Sequence, residues 1–204
     1  MSQPAPAPPA AGQLQADSII VLENVTWADY QRILEIRGER PVPRLTYLEG
    51  VLELMTPSRS HEAIKSMVGR LVEAWCTEKG IPITPYGSWT LEDKEADRGA
   101  QPDECYVLGD ATEPERPDLA IEVIWSRTGI DKLDVYRKLR VKEVWIWESG
   151  EIRVFELRDT TYVPIERSRV LSGIDLATLL RFVGVRPMTR AVAEYRGALR
   201  TSAS

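Results

Sequence analysis

Two acidic side chains next to or inside short apolar segments constrain the fold of this chain more than any other feature. Asp103 lies two residues before the apolar segment 105–108, and Glu122 lies inside the apolar run 119–125. A carboxylate in an apolar strand loses hydration, which a partner, a proton or a cation must replace. We therefore expect a β-sheet that brings both acids to one compensating group.

Lys132 lies ten positions after Glu122, at the beginning of a helical pattern. Two carboxylates can hold a hard divalent cation, and an ammonium can steady an attacking hydroxide or a developing negative charge. These three side chains are the minimal set for metal-assisted hydrolysis of a phosphodiester. Without a cation, Asp103 and Glu122 are expected to repel each other. Asp118 is a poorer partner for Glu122, since four strand residues at roughly 3.3 Å each separate the two by about 13 Å.

Several separated blocks occur in the order of a known nuclease family. They are the hairpin-like segment 44–58, His61-Glu62 at a helix start, Gln101-Pro102-Asp103-Glu104, the strand 117–123, and the helix from Lys132 to Tyr136 followed by 141–147. Over about residues 26–180 they resemble the PD-(D/E)XK nuclease superfamily and, within it, the Uma-type "putative restriction endonuclease" family. The resemblance implies an α/β fold with a restriction-endonuclease-like core, in which helices flank a mixed β-sheet.

The resemblance also implies a function, namely hydrolysis of DNA by a Mg²⁺-dependent endonuclease through a metal-activated water, with Mn²⁺ as a substitute. Asp103 and Glu122 would bind the metal, and Glu62 from the first core helix would be a third acidic ligand. Lys132 would orient the attacking water and stabilise the charge that develops. A homodimer is expected, because two sites related by a two-fold axis suit the cutting of two strands.

The chain departs from the superfamily pattern at one position. The pattern places a lysine two residues after the second acid, where this chain has Ile124. In the Uma-type branch the lysine is displaced onto the following helix, which indicates Lys132 here. Arg127 is the alternative cation.

Each candidate residue also has a purely structural interpretation. Asp103 follows a proline and could cap a turn, while Glu122 could form a buried ion pair with an arginine. His61, the single histidine of the chain, could support the site or only hydrogen-bond to a neighbouring loop. Glu62 could simply favour a helix N-terminus, and Lys132 could be a surface lysine.

Composition predicts one intracellular domain with a tail. A chain of 204 residues, 43% of them hydrophobic, can bury one sizeable core. We predict a disordered, dispensable Pro/Ala-rich tail over residues 1–18 and a single domain over 19–200. There is no apolar run of membrane-spanning length and no signal-peptide pattern, so a cytoplasmic protein without a membrane partner is expected. Cys76 and Cys105 are predicted to be buried free thiols.

The overall charge is unusual for a protein that binds DNA. A net charge of -5 and a pI near 5.2 argue against coating nucleic acid by bulk charge. A nuclease of this kind would need a local basic rim, and the densest group of cations lies at 127–142. Two alternatives therefore stay open, which are a catalytically inactive nuclease-fold binding protein and a metal-dependent phosphoesterase of small substrates.

The pattern along the chain predicts alternating helices and strands. Turn signals at Glu49-Gly50 and Ser149-Gly150 predict two hairpins, and an apolar helical face predicts a long helix from about 58 to 80. Trp145 and Trp147 are predicted to be core residues. The other predicted elements are a helix at 26–36, an edge strand at 81–91, a charged loop at 91–100, a helix at 129–140, a strand at 161–165, and helices at 175–182 and 189–199.

Overall fold

The computed structural model describes residues 16–110, 112–125 and 129–201, and within these ranges it contains two β-sheets and five α-helices. Arg127 and residues 1–15 of the predicted tail lie outside the described residues. The elements are β1 (Ser18–Leu22), α1 (Trp27–Arg37), β2 (Arg44–Leu48), β3 (Val51–Thr56), α2 (Arg59–Lys79), β4 (Ile83–Pro85), β5 (Leu91–Asp93), β6 (Arg98–Ala100), β7 (Glu104–Leu108), β8 (Leu119–Ile124), α3 (Lys132–Leu139), β9 (Glu143–Glu148), β10 (Glu151–Arg158), β11 (Thr161–Ile165), α4 (Leu176–Val183) and α5 (Met188–Thr201).

A six-stranded mixed sheet forms the centre of the fold, with strand order β11-β10-β9-β8-β7-β4. Only β8 and β9 run parallel to each other, and the other pairs are antiparallel. A parallel pair needs a crossover connection, which α3 provides between β8 and β9. The predicted α/β fold with a mixed sheet and flanking helices is confirmed.

The main core lies between this sheet and the long helix α2. Val68, Leu71 and Trp75 of α2 pack with Ile121 and Trp145 of the sheet. Helices α4 and α5 contact α2 and close the same core. The prediction that both strand tryptophans are core residues is confirmed, since Trp145 is 0% and Trp147 is 6% exposed.

A second, five-stranded antiparallel sheet has the order β1-β3-β2-β6-β5. Helix α1 packs against it through Tyr30, whose ring stacks on Tyr47 with 5.0 Å between centroids. The prediction of a charged loop at 91–100 is wrong, because β5 and β6 form a hairpin there. Each strand has only three residues, too few for an alternating pattern to be recognised.

Helix α2 begins and ends close to where the sequence predicted. Ser58 caps its N-terminus by accepting a hydrogen bond from the His61 backbone N–H, and Gly80 ends it in the left-handed conformation with φ 65°. This start places His61 and Glu62 in the first turn. Helix α3 begins at Lys132 because Asp131 is its N-cap, so the predicted start at 129 is three residues early.

The two cysteines are buried free thiols, as predicted. Burial raises the pKa of Cys76 to about 11 and that of Cys105 to about 12, so both thiols stay protonated at neutral pH. Among the helices that the structure describes, none is long and apolar enough to cross a lipid bilayer.

Candidate active site

Glu122 lies on β8, and Asp103 directly precedes β7, the antiparallel neighbour of β8 in the mixed sheet. Glu104 pairs with Ile121 across the antiparallel β7 and β8, and the next opposite position joins Asp103 to Glu122. Opposite residues of an antiparallel pair point to the same face of a sheet. Asp103 is 0% and Glu122 is 2% exposed, so the fold removes both carboxylates from bulk water.

Arg44 compensates Asp103. Asp103 Oδ1 accepts a hydrogen bond from Arg44 Nη1, and Asp103 Oδ2 accepts one from the Val123 backbone N–H at 2.6 Å. The other arm of the guanidinium, Nη2, lies 2.6 Å from Glu62 Oε1. The buried ion pair with an arginine that the sequence suggested for Glu122 is therefore formed by Asp103. Arg44 places a positive charge beside Asp103, which offsets the repulsion expected between Asp103 and Glu122.

His61 connects Asp103 to the N-terminal end of the described chain. Its Nε2 lies 2.9 Å from Asp103 Oδ1, and its Nδ1 lies 2.8 Å from Asp17 Oδ2. Asp17 Oδ1 also accepts a hydrogen bond of 2.7 Å from the backbone N–H of Ser58. Burial lowers the pKa of the His61 imidazole, while the Asp17 carboxylate opposes this shift. Asp17 thus fixes both His61 and the start of α2.

These contacts predict different effects for two N-terminal deletions. Removing residues 1–15 is expected to leave the melting temperature within about 2 °C, since one kcal/mol shifts a domain of this size by roughly 2–4 °C. Removing residues 1–17 is expected to lower it by roughly 2–12 °C, because His61 and Ser58 lose a charged hydrogen-bond partner worth about 1–3 kcal/mol. Thermal unfolding of both truncated proteins measures the difference, and equal melting temperatures would contradict the role of Asp17.

Glu122 has a different environment from Asp103. The Tyr136 hydroxyl donates a hydrogen bond to Glu122 Oε1, and burial together with this carboxylate raises the tyrosine pKa well above its usual value. No lysine, arginine or histidine of the described ranges forms an ion pair with Glu122. The residue lines a cavity of about 400 Å³. Glu122 is therefore a buried carboxylate with space in front of it.

Lys132 lines the same cavity but does not pair with either predicted acid. Its ammonium lies 3.2 Å from Glu53 Oε1 and donates a hydrogen bond to Thr46 Oγ1. Glu53 also lines the cavity, and its side chain is 4% exposed. The structure thus brings Lys132 and Glu122 to one cavity, together with an acid that the sequence analysis did not single out.

Glu62, the predicted third metal ligand, points toward cations instead. Its carboxylate pairs with Arg44 and with Lys65, at 2.6 and 3.0 Å, and its side chain is 41% exposed. Within residues 16–110, 112–125 and 129–201, no group of three or more His, Cys, Asp or Glu side chains is arranged to hold a metal ion. Glu62 therefore does not complete a three-carboxylate site in this arrangement.

The remaining acceptor capacity decides whether a hydrated cation fits. A carboxylate offers about four lone-pair positions, of which Asp103 uses two through Arg44 and Val123. Glu122 uses one, through Tyr136. Mg²⁺ keeps several waters and often takes only one or two carboxylates. Glu122, which lines the cavity, fits such an ion as the more available ligand, and Asp103 is the second candidate, with free acceptor positions but no place in the lining of the cavity.

Three cations of the predicted basic segment 127–142 form ion pairs within the described ranges, namely Lys132, Arg137 and Lys142. Arg137 pairs with Asp134, and Lys142 lies 2.6 Å from Asp118 Oδ1. Lys65 is engaged by Glu62, as described above. The surface near α3 therefore offers a DNA backbone fewer free cations than the sequence suggests, and Lys132 is held inside the cavity.

Four residues of this region were missed as site residues by the sequence analysis, namely Asp17, Arg44, Glu53 and Tyr136. One of them carried a readable signal. Glu53 is an acid between Leu52 and Leu54 in a hairpin strand, which is the same pattern that singled out Glu122. The other three have no comparable pattern, because their partners are distant in the sequence.

The chain resembles proteins that are already known. The model of the Uma2 family, described as "Putative restriction endonuclease", matches residues 27–185. A solved structure described as a putative nuclease belonging to DUF820 from Anabaena variabilis is 13% identical in sequence. The similarity covers 76% of this chain and 92% of that one, with a TM-score of 0.44. No curated protein matches the sequence.

Proposed function

Because the chain belongs to the Uma2 family of "Putative restriction endonuclease" proteins, we propose that it is a Mg²⁺-dependent endonuclease that hydrolyses phosphodiester bonds in DNA. One observation carries the proposal beyond the family. Glu122 is a buried carboxylate without a cationic partner in the described part of the chain, and it shares a cavity with the ammonium of Lys132. A cation and an anionic substrate would complete the charges of this cavity.

Glu122 and Asp103 would hold the divalent cation, and Mn²⁺ would substitute for Mg²⁺. Such an ion, when bound, supplies a Lewis acid that lowers the pKa of water and offsets negative charge on the phosphate. Tyr136 keeps Glu122 in place through its hydroxyl, whereas Arg44 and the Val123 backbone N–H keep Asp103 in place. These contacts fix the two carboxylates before a ligand arrives, which reduces the cost of organising the site.

Lys132 is the residue proposed to act on the substrate. Its ammonium would donate hydrogen bonds to the attacking water and to a non-bridging phosphate oxygen, where negative charge develops. The attacking water would form the new P–O bond and give up a proton to solvent, while the bond to the leaving oxygen breaks and that oxygen takes a proton from solvent. Two copies related by a two-fold axis would present two such sites to duplex DNA.

The direct test is cleavage of supercoiled plasmid with Mg²⁺ or Mn²⁺ and with a chelator as the control. Single-stranded DNA, RNA and a chromogenic phosphodiester are parallel substrates. We expect nicked or linear plasmid only with the divalent ion. Cleavage of the chromogenic compound alone would identify a small-molecule phosphoesterase. Absence of cleavage on all four substrates would favour an inactive nuclease-fold binding protein.

Metal binding has its own test, which does not depend on activity. A ligand at ten times its Kd stabilises the folded state by about 1.4 kcal/mol, so the melting temperature is expected to rise by roughly 3–6 °C. The Glu122→Gln variant serves as the control and is expected to lose this rise. Isothermal calorimetry that detects no binding of Mn²⁺ at millimolar concentration would remove the metal from the proposal.

A further inference from the structure

Glu53 and Thr46 form a two-residue cradle for the ammonium of Lys132. They are directly opposite each other in the antiparallel pair of β2 and β3, so their side chains leave the same face of the hairpin. Glu53 Oε1 lies 3.2 Å from Lys132 Nζ, and Thr46 Oγ1 accepts a hydrogen bond from it. The hairpin therefore presents one charged acceptor and one neutral acceptor to the Lys132 ammonium. Lys132 lies 86 positions after Thr46 in the sequence.

The position of Lys132 is costly without this cradle. Its side chain is only 11% exposed, and an ammonium removed from water is strongly penalised unless it is paired. Lys132 is also the first residue of α3, where the positive end of the helix dipole disfavours a cation. Glu53 is the only carboxylate that pairs with Lys132 within the described ranges. The negative charge of Glu53 offsets both the loss of hydration of the Lys132 ammonium and its unfavourable interaction with the helix dipole.

The segment before α3 is shaped to receive Glu53. Glu53 Oε2 accepts a hydrogen bond of 3.3 Å from the Ile130 backbone N–H. Gly129 has a φ of +115°, and a Cβ atom there would collide with Glu53 Oε2. The carboxylate thus uses one oxygen for the segment that leads into α3 and the other for Lys132.

A buried ion pair of this kind is poor evidence for stability alone, because the cost of removing its charges from water often exceeds the attraction. The pair lines the 400 Å³ cavity together with Glu122, where an organised ammonium has a use. We infer that Glu53, assisted by Thr46, is the positioning residue of Lys132, and this inference rests on the proposed nuclease function. Glu53 acts through Lys132 and does not itself bind the divalent metal ion.

The test uses Glu53→Gln, Lys132→Met and the double variant in the full-length protein. Glutamine keeps the size of the side chain and an oxygen that can accept from Ile130, but it removes the charge that fixes the ammonium. We expect Glu53→Gln to lower kcat on plasmid DNA by about tenfold or more, with KM unchanged. This is the typical effect of losing a residue that orients another side chain of the site. In the Lys132→Met protein, the same change should cause no further loss.

Two readouts separate positioning from metal binding and from folding. The Kd for Mn²⁺ of Glu53→Gln should stay within about twofold of the value for the unchanged protein. The loss of a metal ligand typically weakens binding by more than this. Glu49→Gln is the matched control, because Glu49 lies in the turn of the same hairpin, pairs with Arg98 and is 67% exposed. This control should leave kcat and the Kd for Mn²⁺ unchanged. Weaker Mn²⁺ binding by Glu53→Gln, or a further loss of activity in the Lys132→Met protein, would overturn the inference.

Thermal unfolding tests the contact without any activity. Each single variant leaves a buried charge unpaired, so the drop in melting temperature for the double variant should be smaller than the sum of the two single drops. Additive drops would overturn the positioning role. Non-additive drops in a protein that cleaves no substrate would support Glu53 as the partner that places Lys132, and would reject the nuclease function instead.

Discussion

Replacing Glu122 by glutamine is expected to reduce DNA cleavage by at least about a hundredfold while the protein remains folded, the scale of losing one organised electrostatic contact. Glutamine keeps the shape of the side chain and an oxygen for the Tyr136 hydroxyl. It removes the charge that would attract a cation. Lys132→Met should also lose activity but keep its affinity for Mn²⁺, which separates the two roles. Initial rates, calorimetry and melting temperatures of the same preparations measure all three effects.

Glu143 supplies a matched control for Glu122. It lies on β9, the parallel neighbour of β8, and is 0% exposed. Unlike Glu122, it is held by several donors of the chain, among them the Trp145 indole N–H at 2.6 Å and the Arg169 backbone N–H at 2.7 Å. Glu143→Gln should therefore lower the melting temperature without lowering the activity of the folded protein. If Glu122→Gln behaved in the same way, Glu122 would be a structural residue.

Replacing Asp103 by asparagine is expected to destabilise the protein strongly. The change removes the buried carboxylate that pairs with the guanidinium of Arg44 and leaves it with the partly exposed Glu62, and breaking a buried pair costs about 3–5 kcal/mol. This corresponds to a fall in melting temperature of roughly 6–20 °C. Denaturant unfolding of the purified variant measures the loss of free energy directly. A rise in stability would instead indicate that repulsion between Asp103 and Glu122 dominates the site.

A double variant distinguishes the loss of this ion pair from a general disturbance of the site. Arg44→Met combined with Asp103→Asn removes both charges, so no unpaired charge of this pair remains buried. We expect the double variant to lose less stability than the sum of the two single variants, because contacting residues are not additive. Strict additivity would mean that the two side chains are energetically independent.

The strongest local patterns of the sequence identified their elements correctly. The apolar face, the serine cap and the terminal glycine defined α2, and the turns at Glu49-Gly50 and Ser149-Gly150 defined two hairpins. These features depend on residues within one or two turns of each other. Helix periodicity and turn chemistry are local, so a single sequence contains them.

Elements without a local pattern were missed. Strand β1 has five residues, and its apolar side chains Ile20, Val21 and Leu22 are all partly exposed, so no alternation marks it. Strand β1 forms because it pairs with β3, in a register that places Ser18 opposite Thr56. These two residues are more than 30 positions apart in the sequence. The hairpin of β5 and β6 is likewise completed by pairing with β2. Such strands depend on the partner that they extend.

The sequence by itself determined which carboxylates are costly to bury. Asp103 and Glu122 were recognised because each lies beside or inside an apolar segment, and the strand rise that separates Asp118 from Glu122 favoured Asp103 as the partner of Glu122. The same reasoning applied to Glu53 would have identified it as well. The α/β class and the family resemblance followed from the order of these segments.

Only the tertiary structure decided what compensates each charge. Arg44 is 59 residues from Asp103, and Asp17 is 44 residues from His61. An ion pair needs two charges within a few ångströms, and no sequence pattern fixes that distance between remote segments. The fold gave Asp103 an arginine and left Glu122 facing a cavity with Lys132, because packing of the hairpin, α2 and α3 against the sheet sets where each charged group ends.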